Sequence, residues 1–187
     1  MDPGDAEGYY NRGIAYTKLK QYIRAIQDYD KAIKLAPDVE CAYYFRGLAY
    51  NALKQPIKAI QDFDKAIELD PGHANAYHNR GNAYSTLNRP IKAIQDYNKA
   101  IELKVGDVDA YYNRGNAYVK LKQPIKAIQD FDKVIEIDPG YAMAYNNRAA
   151  MYIMLQRVSQ GCADLRKGCD LGVGGPLGQI KNMGVCL

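Results

Sequence analysis

Residues 40–73 read ECAYYFRGLAYNALKQPIKAIQDFDKAIELDPGH, and most of the chain is built from edited copies of this stretch. Aligned on its glycine, the copies fall in register: Gly13, Gly47, Gly81 and Gly115 stand 34 residues apart. A tyrosine precedes each glycine by four residues (Tyr9, Tyr43, Tyr77, Tyr111) and another follows by three (Tyr16, Tyr50, Tyr84, Tyr118). An alanine comes twelve residues after the glycine (Ala25, Ala59, Ala93, Ala127), and an aromatic residue sixteen after it (Tyr29, Phe63, Tyr97, Phe131). Pro37, Pro71 and Pro139 close three copies, with Val105 in the third. A period of this length marks a stack of small units, none of which can bury its apolar face alone.

Each copy reads as two helices. Ala42, Ala49, Tyr50 and Leu53 recur with a helical period over Glu40–Leu53. Gln55-Pro56 interrupts the pattern, and proline suits the first turn of the following helix. Ile57, Ile60, Phe63, Ala66 and Ile67 then give a second amphipathic helix, which Leu69-Asp70-Pro71-Gly72 stops. The fifth copy keeps Tyr145, Arg148 and Tyr152, but Ala149 replaces the glycine, Gly161 an alanine and Leu165 the aromatic. Helices are still expected over Ala142–Leu155 and Ser159–Asp170, followed by a loop over Leu171–Pro176 and a capping helix over Leu177–Cys186.

These spacings resemble the tetratricopeptide repeat, whose signature places an aromatic, a small residue, Tyr, Ala, an aromatic and Pro at the same offsets. One departure is systematic: an arginine stands before the glycine where the family usually has leucine. The resemblance implies an all-α, right-handed superhelical solenoid of about five helix pairs. The repeats would be 6–39, 40–73, 74–107, 108–141 and a degenerate 142–171. Residues 1–5 would be a turn, with Pro3 placed like the tail of a preceding repeat, and 172–187 a loop and cap. The first helices of such repeats line a concave groove that grips extended peptides. On that face the positions are Tyr10 and Asn11; Tyr44, Phe45 and Leu48; His78, Asn79 and Asn82; Tyr112, Asn113 and Asn116; and Asn147.

A carboxamide both donates and accepts, so a row of asparagines can hold a peptide backbone without reading its sequence. The row is similar to the asparagine ladder in the repeat domain of O-linked N-acetylglucosamine transferases, broken here at Phe45. A carboxylate clamp of the kind used to dock chaperone C-termini is not expected, because Tyr10, Tyr44, His78 or Tyr112 stands where its first lysine belongs.

Charge points the same way. The 25 basic and 21 acidic residues alternate, as in Lys58, Asp62, Asp64, Lys65 and Glu68, which reads as a solvated helix face rather than a nucleic-acid stripe. Neither a membrane span nor a signal peptide is evident, so a cytoplasmic protein is expected. The two histidines and the missing nucleophile, phosphate-loop and dinucleotide motifs argue against an enzyme and against a cofactor. Cys162 and Cys169 are seven residues apart on one helix, about 10 Å in rise, too far to bridge each other. Reduced thiols are favoured over a disulfide involving Cys186, and a zinc site is remote.

The expectation is therefore a non-enzymatic protein–protein interaction scaffold that binds an extended peptide. Alternatives are a self-assembling scaffold, using the end before Ala6 among others, and a recruiting domain of a longer protein. One structural expectation stands apart from the family. Arg12, Arg46, Arg80, Arg114 and Arg148 are each followed sixteen residues later by Asp28, Asp62, Asp96, Asp130 and Asp164. Folding about the Gln55 turn brings those positions level, so each pair should meet across its two helices.

Overall fold

The structure, a computed structural model, describes residues 4–172. Among these residues ten helices run in order: α1 (Ala6–Lys18), α2 (Tyr22–Leu35), α3 (Glu40–Ala52), α4 (Pro56–Leu69), α5 (Ala74–Thr86), α6 (Pro90–Leu103), α7 (Val108–Lys120), α8 (Pro124–Ile137), α9 (Ala142–Met154) and α10 (Val158–Asp170). Among the described residues there is no strand. The all-α helix-pair class is what the spacing predicts, and α3 and α9 each end one residue short of the predicted boundary. The expected capping helix over Leu177–Cys186 and the turn at Pro3 lie outside the described residues.

The chain divides into two compact units, Met1–Leu103 and Lys104–Leu187. In the first, α1 packs on α2, α3 on α4 and α5 on α6, while α2 meets α3 and α4 meets α5. In the second, α7 packs on α8 and α9 on α10, with α8 against α9. The division falls at the one repeat boundary without proline, where Val105 is 86% exposed and Gly106 takes a φ of +86°.

Small residues set the core. Ala25, Ala59, Ala93 and Ala127 are fully buried, as are the rings of Tyr29, Phe63, Tyr97 and Phe131. Each second-helix ring lies against the glycine of its own first helix; a Cβ on Gly47 would sit 2.7 Å from Phe63 Cε1. The second unit closes around Ile128, Phe131, Val134, Ala144 and Met151, and its last pair around Ala149, Cys162 and Leu165.

The turn within each pair has a fixed form. After α1, the Lys20 amide donates to the Thr17 carbonyl at 2.9 Å and the Gln21 amide to the Tyr16 carbonyl at 2.8 Å. These two bonds satisfy carbonyls that the helix end leaves open, and they require a left-handed residue between them. That residue is Lys20, Lys54, Asn88, Lys122 or Gln156, with φ between 54° and 61°.

All five arginines meet their aspartates. Arg46 donates through Nε to Asp62 Oδ2 at 2.9 Å and through Nη2 to Oδ1 at 2.6 Å, and the same two-point contact recurs from Arg12–Asp28 through Arg148–Asp164. The expectation of a solvated acidic face is corrected here. Asp28, Asp62, Asp96, Asp130 and Asp164 are buried, because the arginine fork replaces their water. Burial still pushes the Asp62 carboxyl above its ordinary value, against the pull of Arg46. Burial would lower the Arg46 guanidinium, but bonds and charge from Asp62 and Asp30 leave it above its usual range.

The arginine does a second job that spacing within one repeat does not reveal. Arg46 Nη1 donates to Asp30 of the preceding pair, Arg80 Nη1 to Asp64 and Arg148 Nη1 to Asp132, each at 2.6 Å. The tyrosines that flank the arginine in the first four copies are half-buried and lie beside the cations: Arg46 stands 5.6 Å from the Tyr43 ring and Lys58 5.3 Å from Tyr50. Ring faces attract cations, which explains tyrosine at both flanks of an arginine.

Cys41 and Cys169 carry free thiols. Readings of Cys186 lie outside the described residues. Among the described residues no group of three His, Cys, Asp or Glu side chains could hold a metal ion, and no helix is long and apolar enough to cross a membrane.

Candidate functional site

In the first unit the outer face of α1, α3 and α5 carries Tyr10, Asn11, Tyr44, Phe45, Leu48, His78, Asn79 and Asn82. All are half-buried except Asn11, which is exposed. The aromatic side chains among them pack edge to face. Phe45 lies 5.9 Å from Tyr10 and 5.3 Å from Tyr44, both near perpendicular, and 6.4 Å from Tyr29 in a stacked arrangement. The structure thus brings Tyr10, Tyr44 and Phe45 into one continuous cluster.

The amide half is wired inward. Asn79 Nδ2 donates to the Tyr44 hydroxyl at 3.1 Å and to the Asn75 carbonyl at 2.9 Å, which uses both its hydrogens. Asn82 Oδ1 accepts from the Tyr97 hydroxyl at 2.8 Å, and the His78 ring meets the Tyr97 ring edge-on at 5.9 Å. Burial raises the Tyr44 hydroxyl, opposed by the Asn79 bond.

The second unit repeats the scheme on α7 and α9. Asn147 Nδ2 donates to the Tyr112 hydroxyl at 3.1 Å and to Asn116 Oδ1 at 2.8 Å. Tyr112 lies 5.9 Å from Phe131, and Asn113 and Asn116 are half-buried beside it. For Asn79 and Asn147, the donors are occupied and the carbonyl Oδ1 is what each amide can present outward. Asn82 and Asn116 do the reverse, spending Oδ1 on the Tyr97 hydroxyl and on Asn147 Nδ2.

Three sets of residues were missed by spacing alone. Thr17 bonds the Tyr29 hydroxyl at 3.0 Å, so a tyrosine on the second helix comes with a polar partner on the first. His73 and Tyr141, in the loops between pairs, lay their rings 4.5 Å from Tyr44 and 4.9 Å from Tyr112. Cys41 replaces Asn75 in register; it donates to Glu40 at 2.7 Å, and its thiol is pushed up to about 11 by burial and then by Glu40. The loop contacts are between pairs, and only comparing loop residues across the copies could have raised them.

Helix pairs joined by left-handed turns, stacked by alanine and glycine against aromatic rings, define a helical repeat protein of the interaction-scaffold class. The family models agree: a tetratricopeptide repeat model matches residues 6–39 and 108–141, a second tetratricopeptide repeat model 38–104, and a TPR repeat model 92–122. The chain belongs to the tetratricopeptide repeat family. No curated protein matches it. Among solved structures, MamA is 27% identical with a TM-score of 0.83, over 85% of this chain and 93% of that one. YrrB, described as a TPR protein with an unusual peptide-binding site, is 25% identical with a TM-score of 0.84, over 97% of this chain and 94% of that one. PilF of Pseudomonas aeruginosa shares the fold at 16% identity, TM-score 0.81, over 96% of this chain and 82% of that one.

Proposed function

We propose that this protein is a non-enzymatic interaction scaffold whose α1–α3–α5 face binds an extended peptide. The observation that carries the reading is the aromatic cluster of Tyr10, Tyr44 and Phe45, half-exposed on a face whose neighbouring amide, Asn79, has its carbonyl oxygen left to offer. Apolar side chains of the ligand would pack on the rings while its backbone N–H groups reach the amide oxygens. The peptide-binding site named for YrrB lends support by similarity of fold. The second unit carries the same acceptor arrangement at Asn147, so it would take a segment of similar chemistry.

The test is a display selection of random peptides on the full chain, followed by titration of the selected peptide. Aromatic anchors carry most of the energy in such interfaces. Tyr44→Ala should therefore weaken binding at least tenfold, and Asn79→Ala several-fold less. Equal affinity of the wild type and Tyr44→Ala for the selected peptide would reject the reading.

A second reading, self-assembly, rests on a separate observation. Leu19, Ile23, Ile57 and Ile91 of the first unit are 63–66% exposed at the turns within each pair, where the sequence led one to expect Ile57 in the amphipathic face. Light scattering across a concentration series distinguishes the two, since assembly raises the mass without any peptide.

A further inference from the structure

The loop residue before α5 and the one before α9 each cover the tyrosine of the preceding pair. After α4 it is His73, whose ring tilts over Tyr44 at 4.5 Å; after α8 it is Tyr141, tilted over Tyr112 at 4.9 Å. Each covered tyrosine also receives an asparagine Nδ2–H from the next first helix, from Asn79 and from Asn147. The first copy breaks the pattern twice. Val39 stands in register with His73 and Tyr141, and Phe45 in register with Asn79 and Asn147. A branched aliphatic residue that is 41% exposed cannot cover a ring as an imidazole or phenol does.

The result is a cavity of about 440 Å³ beside Tyr10, open to solvent. Ala6 and Tyr10 of α1, Ala32 and Ala36 at the end of α2, Val39 just before α3 and Cys41 in its first turn form much of its wall. Methyl groups, one ring and one thiol make up most of the wall, and the side chains of Glu7 and Asn11 line it as well. Exposed Asn11 stands at the mouth, placed to bond a backbone that passes over it.

We propose that this cavity is a pocket for an aromatic side chain of the bound peptide, taking over Tyr10 the place that His73 and Tyr141 take over Tyr44 and Tyr112. The occupant is argued from the protein's own repeats: twice the chain fills this position with a ring at 37° or 45° to the tyrosine below. Tilted ring pairs gain beyond the area they bury, so a ring is preferred to an aliphatic chain of equal volume. The pocket sets specificity for the peptide face of the first unit and rests on that reading of α1–α3–α5.

The experiment uses the 15N-labelled full chain and three probes: N-acetylphenylalaninamide, N-acetyltyrosinamide and, as the aliphatic control, N-acetylleucinamide. The two ring amides should shift the backbone signals of Ala6, Asn11, Cys41 and Ala42, with affinities at least fivefold above that of the leucine amide. Val39→Tyr, which supplies the covering ring from within as Tyr141 does, should abolish those shifts and weaken the display-selected peptide at least tenfold. Val39→His, which copies His73 in register, gives a second variant should the first fold poorly. Absence of the shifts, equal affinity for the leucine amide, or full binding by both variants would overturn the pocket. The two readings fail separately. Ring-amide binding without any selected peptide removes the groove and keeps the pocket, whereas a peptide indifferent to both Val39 variants removes the pocket alone.

Discussion

Gly115 and Phe131 are better understood as one choice than as two residues. A Cβ on Gly115 would lie 2.7 Å from Phe131 Cε1, and the ring is fully buried and cannot swing away. The fifth pair shows the other solution: Ala149 and Leu165 replace glycine and ring together, and both remain buried. Gly115→Ala gains about 1 kcal/mol in helix propensity but meets an overpacking cost of about 1–3 kcal/mol. Phe131→Leu alone leaves a void beside the glycine. The double substitution recreates the fifth-pair solution, so its unfolding free energy should exceed the sum of the single effects by about 0.5–3 kcal/mol. A urea-unfolding cycle over the four proteins measures this, and strict additivity would show that the two positions were lost independently. Reading the fifth copy as decay missed this; the repeat pattern marks departures, while only the distance between the two sites shows that they compensate.

At the level of the elements, the five turns within the pairs place a non-glycine residue in left-handed backbone. Lys122 has φ 56° and Asn88 φ 54°. That conformation crowds the Cβ of an L-residue, which glycine avoids. Lys122→Gly is therefore expected to stabilise the chain by roughly 0.5–1 kcal/mol, offset in part by the greater freedom of glycine in the unfolded chain. Asn88→Gly should gain less, since asparagine tolerates this region. Thermal unfolding of both variants checks the ranking, and a lowered midpoint for Lys122→Gly would show that the strain is negligible. The helices themselves were legible in the sequence almost to the residue, because the apolar period agrees with the prolines that open α4, α6 and α8 and with the Asp-Pro-Gly stops after α4 and α8. The ring contacts of His73 and Tyr141 were not, because they depend on how one pair stacks on the next, which no spacing within a repeat encodes. For the same reason the sequence does not reveal that Asn79 spends an Nδ2 hydrogen on Tyr44, 35 residues earlier.

Across whole units, stability in a repeat protein is close to a sum of terms within repeats and terms between them. Arg46 contributes to both. Its fork closes on Asp62 inside the α3–α4 pair, where the side chains are 18% and 7% exposed, and its remaining nitrogen reaches back to Asp30 on α2, which is 50% exposed. Arg80 repeats this with Asp96 and Asp64, and in the second unit Arg148 does so with Asp164 and Asp132. The register position of Asp30 holds Asn98 in the third copy and exposed Arg166 in the fifth, so the acid is replaced in both. The two bonds of Arg46 should differ sharply in energy. Asp62→Asn leaves a half-buried guanidinium short of its main counter-charge and is expected to cost about 3–5 kcal/mol. Asp30→Asn removes a solvent-screened partner and should cost about 0–1 kcal/mol globally. Its effect belongs to the junction instead: hydrogen exchange at amides of α1 and α2 should quicken while that of α5 and α6 is unchanged. Asp62→Asn, in contrast, should speed exchange throughout α3 and α4. Equal losses of global stability in the two variants, or uniform exchange across the unit after Asp30→Asn, would mean that Arg46 acts as a single buried charge and not as a link between pairs.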